Sequence, residues 1–149
     1  MEKNIIFFLL AALCLLYPLP AAAIAPPTTA IDYQLPYPGI LPDSPLYNLK
    51  IIRDKVLGFF ISNPVKKAEY DINMADVRIS AALALADQKK DTPLAKTTIS
   101  KAQNYQTEAM VNIRIAKSQG IDTQSLVKKL NQAKGKYKEV ASHIELIRD

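Results

Sequence analysis

Apolar side chains recur along most of the chain at alternating intervals of three and four residues, which is the spacing of one face of an α-helix. The most regular series lies within residues 64–90 and consists of Val65, Ala68, Ile72, Ala75, Ile79, Ala82 and Ala86. A similar series within residues 123–148 consists of Leu126, Leu130, Ala133, Tyr137, Val140, Ile144 and Ile147. Both series predict long amphipathic helices with a continuous buried seam.

A third long helix is predicted over residues 93–119, where alanines stand seven apart at Ala95, Ala102, Ala109 and Ala116. Small side chains on two facing helices let their axes approach to about 8 Å. We therefore expect this helix to pack closest to the alanine-bearing helix over 64–90. Asn112 falls on the same seam, where it either fixes the register or turns outward and leaves Ile113 in the core.

A shorter helix is predicted over residues 45–61, because apolar positions again fall on one side of it. These positions are Leu46, Leu49, Ile52, Val56 and Phe59 or Phe60. Gly58 weakens the last turn, since glycine is a poor helix former. This helix either joins the long helices as a fourth member or lies across one end of them.

The helix boundaries are marked by three polar residues that stand directly before prolines. They are Ser44-Pro45, Asn63-Pro64 and Thr92-Pro93. Proline suits the first helical turn, and the polar side chain before it can accept a hydrogen bond from a free backbone N–H. Each pair predicts a helix start, and Gly120 predicts a left-handed end to the third helix.

The connectors between the three long helices decide the topology. Each helix is expected to be about 40 Å long at 1.5 Å per residue. Residues 91–92 and 120–123 are too few to cross that distance, so neighbouring helices must run antiparallel. The sequence therefore predicts an all-α, antiparallel up-down helical bundle over residues 44–149.

Residues 26–43 are rich in proline and are predicted to be extended, with a turn at Tyr37-Pro38-Gly39. Tyr33 and Leu35 are among the apolar residues of this segment, which is too apolar for an idle linker. We expect it to pack along the helices as a strap. The alternative is an exposed proline–aromatic docking segment.

Residues 1–25 have the order of a secretory signal peptide, with an apolar run from Ile5 to Leu16 and a cleavage site after Ala23 or Ala25. The apolar run is shorter than the roughly 20 residues that a membrane span needs. We therefore expect an exported protein, with an uncleaved membrane anchor as the alternative. Cys14 is the single cysteine, so cleavage would leave a chain without disulfides or thiolate ligands.

The chain carries a formal net charge of +5, which favours only weak, salt-sensitive contact with anionic lipid or wall polymer. The most basic stretch contains Lys128, Lys129, Lys134, Lys136 and Lys138. These lysines spread around the predicted fourth helix, so a solubilising role is favoured over a basic interaction surface. Nucleic-acid binding is disfavoured, because the chain has no tryptophan and the one aromatic residue among these lysines, Tyr137, falls on the predicted buried seam.

Side chains that carry chemistry are few. His143 is the single histidine, and Glu139 one turn before it supplies too few ligands for a metal centre. The four glycines are too scattered for a phosphate-binding loop, and one histidine near a chain end is a poor base for a triad. We therefore expect no cofactor, no metal site and no enzymatic activity.

Charged side chains of both signs alternate in the first half of the second helix, which is typical of a solvated face with local ion pairs. They are Lys66, Lys67, Glu69, Asp71, Asp76 and Arg78.

The segment Leu35-Pro36-Tyr37-Pro38-Gly39-Ile40-Leu41-Pro42-Asp43-Ser44-Pro45-Leu46-Tyr47 resembles a family of secreted bacterial proteins known only as a domain of unknown function. The likeness continues through Arg53-Asp54 and Lys66-Lys67-Ala68-Glu69 to Ala75-Asp76 with Arg78, while Ser80 replaces the acidic residue expected there. The resemblance implies an exported helical domain and supplies no activity. The positions that it singles out are Tyr37, Pro38, Gly39, Asp43, Pro45 and Tyr47.

The sequence thus favours a non-catalytic binding or structural module outside the cytoplasm, with an unidentified protein or envelope partner. A basic adaptor at the membrane or wall surface is the alternative, and an enzyme or metal-binding bundle comes third. The oligomeric state is left open, because the alanine seam could close within one chain or between two.

Overall fold

The computed structural model describes residues 32–147, and this part of the chain is helical and contains no strand. Its helices are α1 (Tyr47–Phe59), α2 (Pro64–Lys89), α3 (Thr92–Ser118) and α4 (Gln124–Ile147). The predicted all-α bundle of three long helices and one shorter helix is confirmed. The signal peptide predicted over 1–25 and the first part of the extended segment lie outside the described residues.

The long helices run antiparallel from one to the next. Asn112 near the end of α3 contacts Asp71 near the start of α2. Lys96 near the start of α3 pairs with Glu145 near the end of α4, at 2.7 Å between Nζ and Oε1. The chain therefore passes up, down and up, and α4 is parallel to α2.

The core lies where the three long helices meet. The most extensive contact is between α2 and α3, as their facing alanines predicted. The buried residues of the α2 and α4 seams include Ala68, Ile72, Ala75, Ile79, Ala82, Ala86, Leu126, Leu130, Ala133, Tyr137, Val140 and Ile144. From α3 the core receives Ala95, Ala102, Ala109, Ile113 and Ala116.

Two of the predicted helix ends form as expected. The side chain of Asn63 accepts hydrogen bonds from the N–H groups of Val65 and Lys66, and Pro64 opens α2. Gly120 has a φ of +78° and follows the end of α3, where the N–H of Ile121 donates to the carbonyl of Ala116.

The start of α3 differs from the prediction by one residue. Asp91 and not Thr92 is the capping residue, because its carboxylate accepts a hydrogen bond from the N–H of Leu94 at 3.0 Å. Thr92 is the first residue of the helix. A carboxylate is favoured at this position, since it also faces the positive end of the helix dipole.

The side chain of Ser44 accepts the predicted kind of hydrogen bond, from the N–H of Leu46 at 3.3 Å, but α1 begins two residues later than predicted. Ser44 and Pro45 belong to a preceding turn, in which the N–H of Tyr47 donates to the carbonyl of Ser44 at 3.0 Å. The helix begins after Leu46, which makes no side-chain cap. The turn satisfies the amide of Tyr47, so no side-chain acceptor is needed there. Asp43 contacts Lys89 at the end of α2, at 3.4 Å.

Candidate functional site

Helix α1 is attached to α2 through a small polar seat formed by Tyr47, Asp54 and Gly58, which are its buried residues. The hydroxyl of Tyr70 donates to the backbone carbonyl of Asp54, and Nζ of Lys67 donates to the carbonyl of Gly58 at 3.0 Å. A Cβ on Gly58 would lie 2.9 Å from the ring of Tyr70. Glycine at position 58 therefore allows a close approach that fixes how α1 is rotated about its axis.

The apolar residues whose spacing predicted α1 lie on the side of the helix that faces away from the bundle. Their large side chains are between 50% and 84% exposed. We name Leu49, Ile52, Val56, Phe59 and Phe60 the α1 stripe. At 3.6 residues per turn they occupy an arc of about 100°, directly opposite the seat. Periodicity shows which residues share one side of a helix. In α1 the apolar side is not the side that packs against the bundle.

Cations border the α1 stripe. By helical position Arg53 lies beyond one edge of the stripe and Lys55 beyond the other, and both are exposed. Asp54, the one acidic residue of α1, is 2% exposed and belongs to the seat. The outer half of α1 therefore combines an apolar centre with positively charged edges.

A groove of about 650 Å³ lies beneath α1, between that helix, α2 and α3. Its lining includes Tyr70, Asp71, Arg78 and Tyr105. The guanidinium of Arg78 stacks on the ring of Tyr105 at 4.4 Å from the ring centroid. The bundle side of the groove thus carries polar and aromatic side chains. On the α1 side, Lys55 and the stripe residue Phe59 also border it.

Asp54 also lines this groove. Its Oδ1 accepts from Nη2 of Arg53 at 2.7 Å, whereas its buried Oδ2 has no hydrogen-bond partner in the protein. A buried carboxylate oxygen without a donor is costly, and among the buried side-chain nitrogen and oxygen atoms of the described residues Oδ2 of Asp54 is the one without a partner.

Two carboxylates of α2 that were predicted to be solvated are buried. Nδ2 of Asn112 donates to Asp71 at 2.9 Å, and Lys67 lies 3.7 Å from the same carboxylate. Burial raises the pKa of Asp71, although Lys67 and Asn112 oppose this shift. Asn112 is half-buried and Ile113 occupies the core, so Asn112 pairs with a carboxylate and does not fill the seam.

Asp76 lies deeper between the helices. It accepts hydrogen bonds from the hydroxyls of Tyr137 on α4 and Tyr33 in the extended segment. Burial raises the pKa of Asp76, and the two tyrosine hydrogen bonds act in the opposite direction. Arg78 is also buried, so the prediction of a solvated face is wrong for Asp71, Asp76 and Arg78. The tyrosine partners are distant in sequence, and no local pattern points to them.

The positions singled out by the proline–tyrosine signature do not converge. Tyr37, Pro38 and Gly39 line a shallow depression of about 300 Å³ against α2, and the side chain of Tyr37 is 85% exposed. Tyr47 is buried in the α1 seat. Pro45 is exposed in the turn, and Asp43 reaches Lys89 as described above.

Of the extended segment before α1, the structure describes residues 32–43, and the beginning of this part packs on the bundle. Tyr33 and Leu35 contact the core cluster of the long helices. Nζ of Lys50 on α1 donates to the carbonyl oxygens of Pro38 and Ile40, at 2.7 and 3.2 Å. The described chain is therefore a strap from Tyr33 to Leu35, after which the side chain of Tyr37 projects into solvent.

The five lysines of α4 point in several directions. Lys128, Lys129 and Lys138 are exposed. Lys136 pairs with Glu139 at 2.7 Å, and Nζ of Lys134 lies 3.2 Å from the sulfur of Met110. Two of the five are thus engaged with neighbouring side chains, and the set does not form one stripe.

The single histidine lies on the surface. Nε2 of His143 is 3.0 Å from Oδ1 of Asp87 on α2. Within residues 32–147, no three side chains of histidine, cysteine, aspartate or glutamate come together as metal ligands. None of the helices in the same range has the length and apolar character needed to cross a membrane.

Comparison with known proteins identifies a family for most of the described chain. Residues 39–146 match the family described as a domain of unknown function, DUF5667. No curated protein and no solved structure matches the chain.

Proposed function

The chain belongs to the DUF5667 family, and we propose that it is an exported, non-catalytic binding module that holds a partner at the cell envelope through the outer face of α1. The observation that carries this proposal is the α1 stripe. Its five apolar side chains are at least half exposed, and the seat around Gly58 holds them away from the bundle. A contiguous apolar patch of this kind is typical of an interaction surface.

Export is supported by the sequence of residues 1–25, which has the order of a signal peptide. Cleavage there would remove the single cysteine and leave a chain that depends on its packed core. The three alanine-lined long helices supply such a core without disulfides.

A non-catalytic role is supported by how the polar side chains of the bundle are used. Asp71 is paired with Asn112, and Asp76 accepts from two tyrosines, so both carboxylates have structural partners. His143 is exposed beside Asp87. General acid–base or nucleophilic catalysis needs a base and its partner groups to converge on a common point. Of Asp71, Asp76 and His143, only Asp71 lines the groove beneath α1.

The proposal is tested by envelope retention in a host that exports the protein. Ile52→Ser places a hydroxyl at the centre of the α1 stripe, and Leu146→Ser is the matched control because Leu146 is also exposed, at 76%, but lies on α4. We expect the Ile52 variant to be released into the soluble fraction and the Leu146 variant to remain with the envelope. Equal retention of both variants would show that α1 is not the contact surface.

Mass spectrometry of the exported protein reports the N-terminal residue in the same experiment. A chain that begins after Ala23 or Ala25 is expected. A chain found in the membrane fraction with residues 1–25 retained would mean that the protein is anchored by an uncleaved N-terminal segment.

A further inference from the structure

We propose that the partner of the α1 stripe is the surface of an anionic lipid bilayer, on which α1 lies parallel to the membrane plane. This inference rests on the proposed function, because it names the partner of the same surface. The stripe would enter the boundary between headgroups and acyl chains, and the cations beside it would contact anionic headgroups.

The shape of α1 fits this arrangement. Its 13 residues form a rod of about 20 Å, with the stripe along the whole outer side. Phe59 and Phe60 meet edge to face at 5.6 Å between ring centroids, which gives the C-terminal end of the stripe a large aromatic surface. Because the seat fixes the rotation of α1, the stripe is presented without any rearrangement of the bundle.

The charges at the edges of the stripe select an anionic surface. Arg53 and Lys55 flank it on opposite sides, and long basic side chains can reach headgroups while their stems stay on apolar surface. The acidic residue of α1, Asp54, is turned into the seat. Glu108 is exposed and lines the groove, but it belongs to α3. Because Asp54 pairs with Arg53 at 2.7 Å, Lys55 is the edge cation that keeps its full charge for a headgroup phosphate.

A second copy of the chain fits the stripe less well. If two stripes faced each other, Arg53 or Lys55 of one copy would meet Arg53 or Lys55 of the other, in either helix orientation. Like charges placed opposite each other are unfavourable. The repulsion would fall mainly on Lys55, since Arg53 is paired with Asp54 of its own chain and α1 has no exposed carboxylate to offset Lys55. A bilayer supplies both an apolar interior and negative charge at the correct boundary.

The absence of tryptophan from the sequence allows a direct test. Phe59→Trp places a single fluorophore in the α1 stripe. Leu146→Trp places one at an exposed position of α4 and is the matched control. The exported chain is mixed with phosphatidylglycerol-containing vesicles that carry brominated acyl chains. We expect the indole emission of the Phe59→Trp variant to shift to the blue and to be quenched, while that of the Leu146→Trp variant is unchanged.

Headgroup charge is tested separately. Phosphatidylcholine vesicles are expected to give much weaker quenching of the Phe59→Trp variant, and high salt is expected to reduce its quenching in anionic vesicles. Lys55→Gln should weaken binding to anionic vesicles about fivefold, as expected for one cation near such a surface. Lys138→Gln, on exposed α4, should leave binding unchanged.

Other occupants give different results. Blue-shifted emission of the Phe59→Trp variant without vesicles would overturn the proposal: with a doubled solution mass it identifies a second copy, and in a monomer it identifies another segment of the chain. If anionic vesicles bind this variant without quenching its indole, the lipid contact lies elsewhere and this inference is wrong. If Ile52→Ser abolishes envelope retention while vesicles do not bind at all, the proposed function stands and the partner is a protein.

Discussion

Tyr137 on α4 donates its hydroxyl hydrogen to Oδ1 of Asp76 on α2 at 2.5 Å, deep between the two helices. The other carboxylate oxygen accepts from Tyr33 in the strap at 2.7 Å. One buried carboxylate therefore connects three parts of the chain that are far apart in sequence. A charged acceptor makes these hydrogen bonds stronger than neutral ones, and removal of a donor leaves the acceptor unsatisfied.

Tyr137→Phe is expected to lower the free energy of unfolding by about 1–3 kcal/mol, because the phenyl ring keeps the packing and removes only the donor to Asp76. Urea denaturation followed by circular dichroism measures the change. Tyr37→Phe is the matched control, since the side chain of Tyr37 is 85% exposed, and it should have no effect. Equal stability of the Tyr137 variant and the wild type would mean that Asp76 is satisfied without Tyr137.

The stability of the bundle is expected to depend on pH through Asp76. Burial raises the pKa of Asp76 in the folded state above its value in the unfolded chain. In the interval between the two pKa values the folded state binds more protons, so the contribution of Asp76 is fully present at low pH and decreases as pH rises through the folded pKa.

Asp76→Asn removes this titration and serves as the reference. The free energy of unfolding of the wild type minus that of the variant should increase as pH falls from neutral to about pH 4. Urea denaturation at the two pH values measures it. Asp71 is present in both proteins, so its own raised pKa cancels in the difference. A difference that decreases toward low pH would show that the folded state lowers the pKa of Asp76.

The long helices could be predicted because their information is local. The seven-residue spacing of Ala95, Ala102, Ala109 and Ala116 identifies the buried face of α3, and the Asn63-Pro64 pair marks the start of α2. Each signal depends on neighbours within a few turns of one helix, so the sequence alone was sufficient.

The candidate site could not be predicted because its information is tertiary. The periodicity of α1 grouped Ile52 and Val56 correctly, but only the tertiary contacts of the seat, with Tyr70 close to Gly58, determine that this group faces outward. The burial of Asp76 depends in the same way on tyrosine hydroxyls from distant parts of the chain. The apolar series of α2 predicts one buried side, and it does not show that neighbouring parts of the chain also cover other sides of this helix.

The corrected cap of α3 gives a third prediction. Asp91→Ala removes the acceptor for the N–H of Leu94 and should lower the free energy of unfolding by about 1 kcal/mol. Thr92→Ala is the matched control and should not lower the free energy of unfolding, since Thr92 is already inside the helix and alanine has the higher helix propensity. Thermal unfolding of the two variants compares them, and a larger loss for the Thr92 variant would restore the sequence-based assignment of the cap.

Gly58→Ala compares two opposing effects on α1, the close packing of the seat and the higher helix propensity of alanine. Propensity alone predicts that alanine stabilises the helix by about 1 kcal/mol. The new Cβ would, however, lie 2.9 Å from Cε1 of Tyr70 and 3.1 Å from Nζ of Lys67. Overpacking of this kind typically costs about 1–3 kcal/mol, and a ring held by its hydroxyl at Asp54 cannot easily move aside. The clash should therefore exceed the propensity gain, and hydrogen exchange of the α1 amides should become faster.

Tyr70→Ala separates the clash from other effects of alanine. In the Tyr70→Ala background the ring is absent, so Gly58→Ala should no longer accelerate exchange and should recover part of the propensity gain. Such coupling between the two substitutions would demonstrate that the ring of Tyr70 is what requires glycine at position 58. If Gly58→Ala instead slows exchange of the α1 amides in the otherwise unchanged protein, α1 is not held closely against Tyr70, and nothing fixes the outward direction of the stripe.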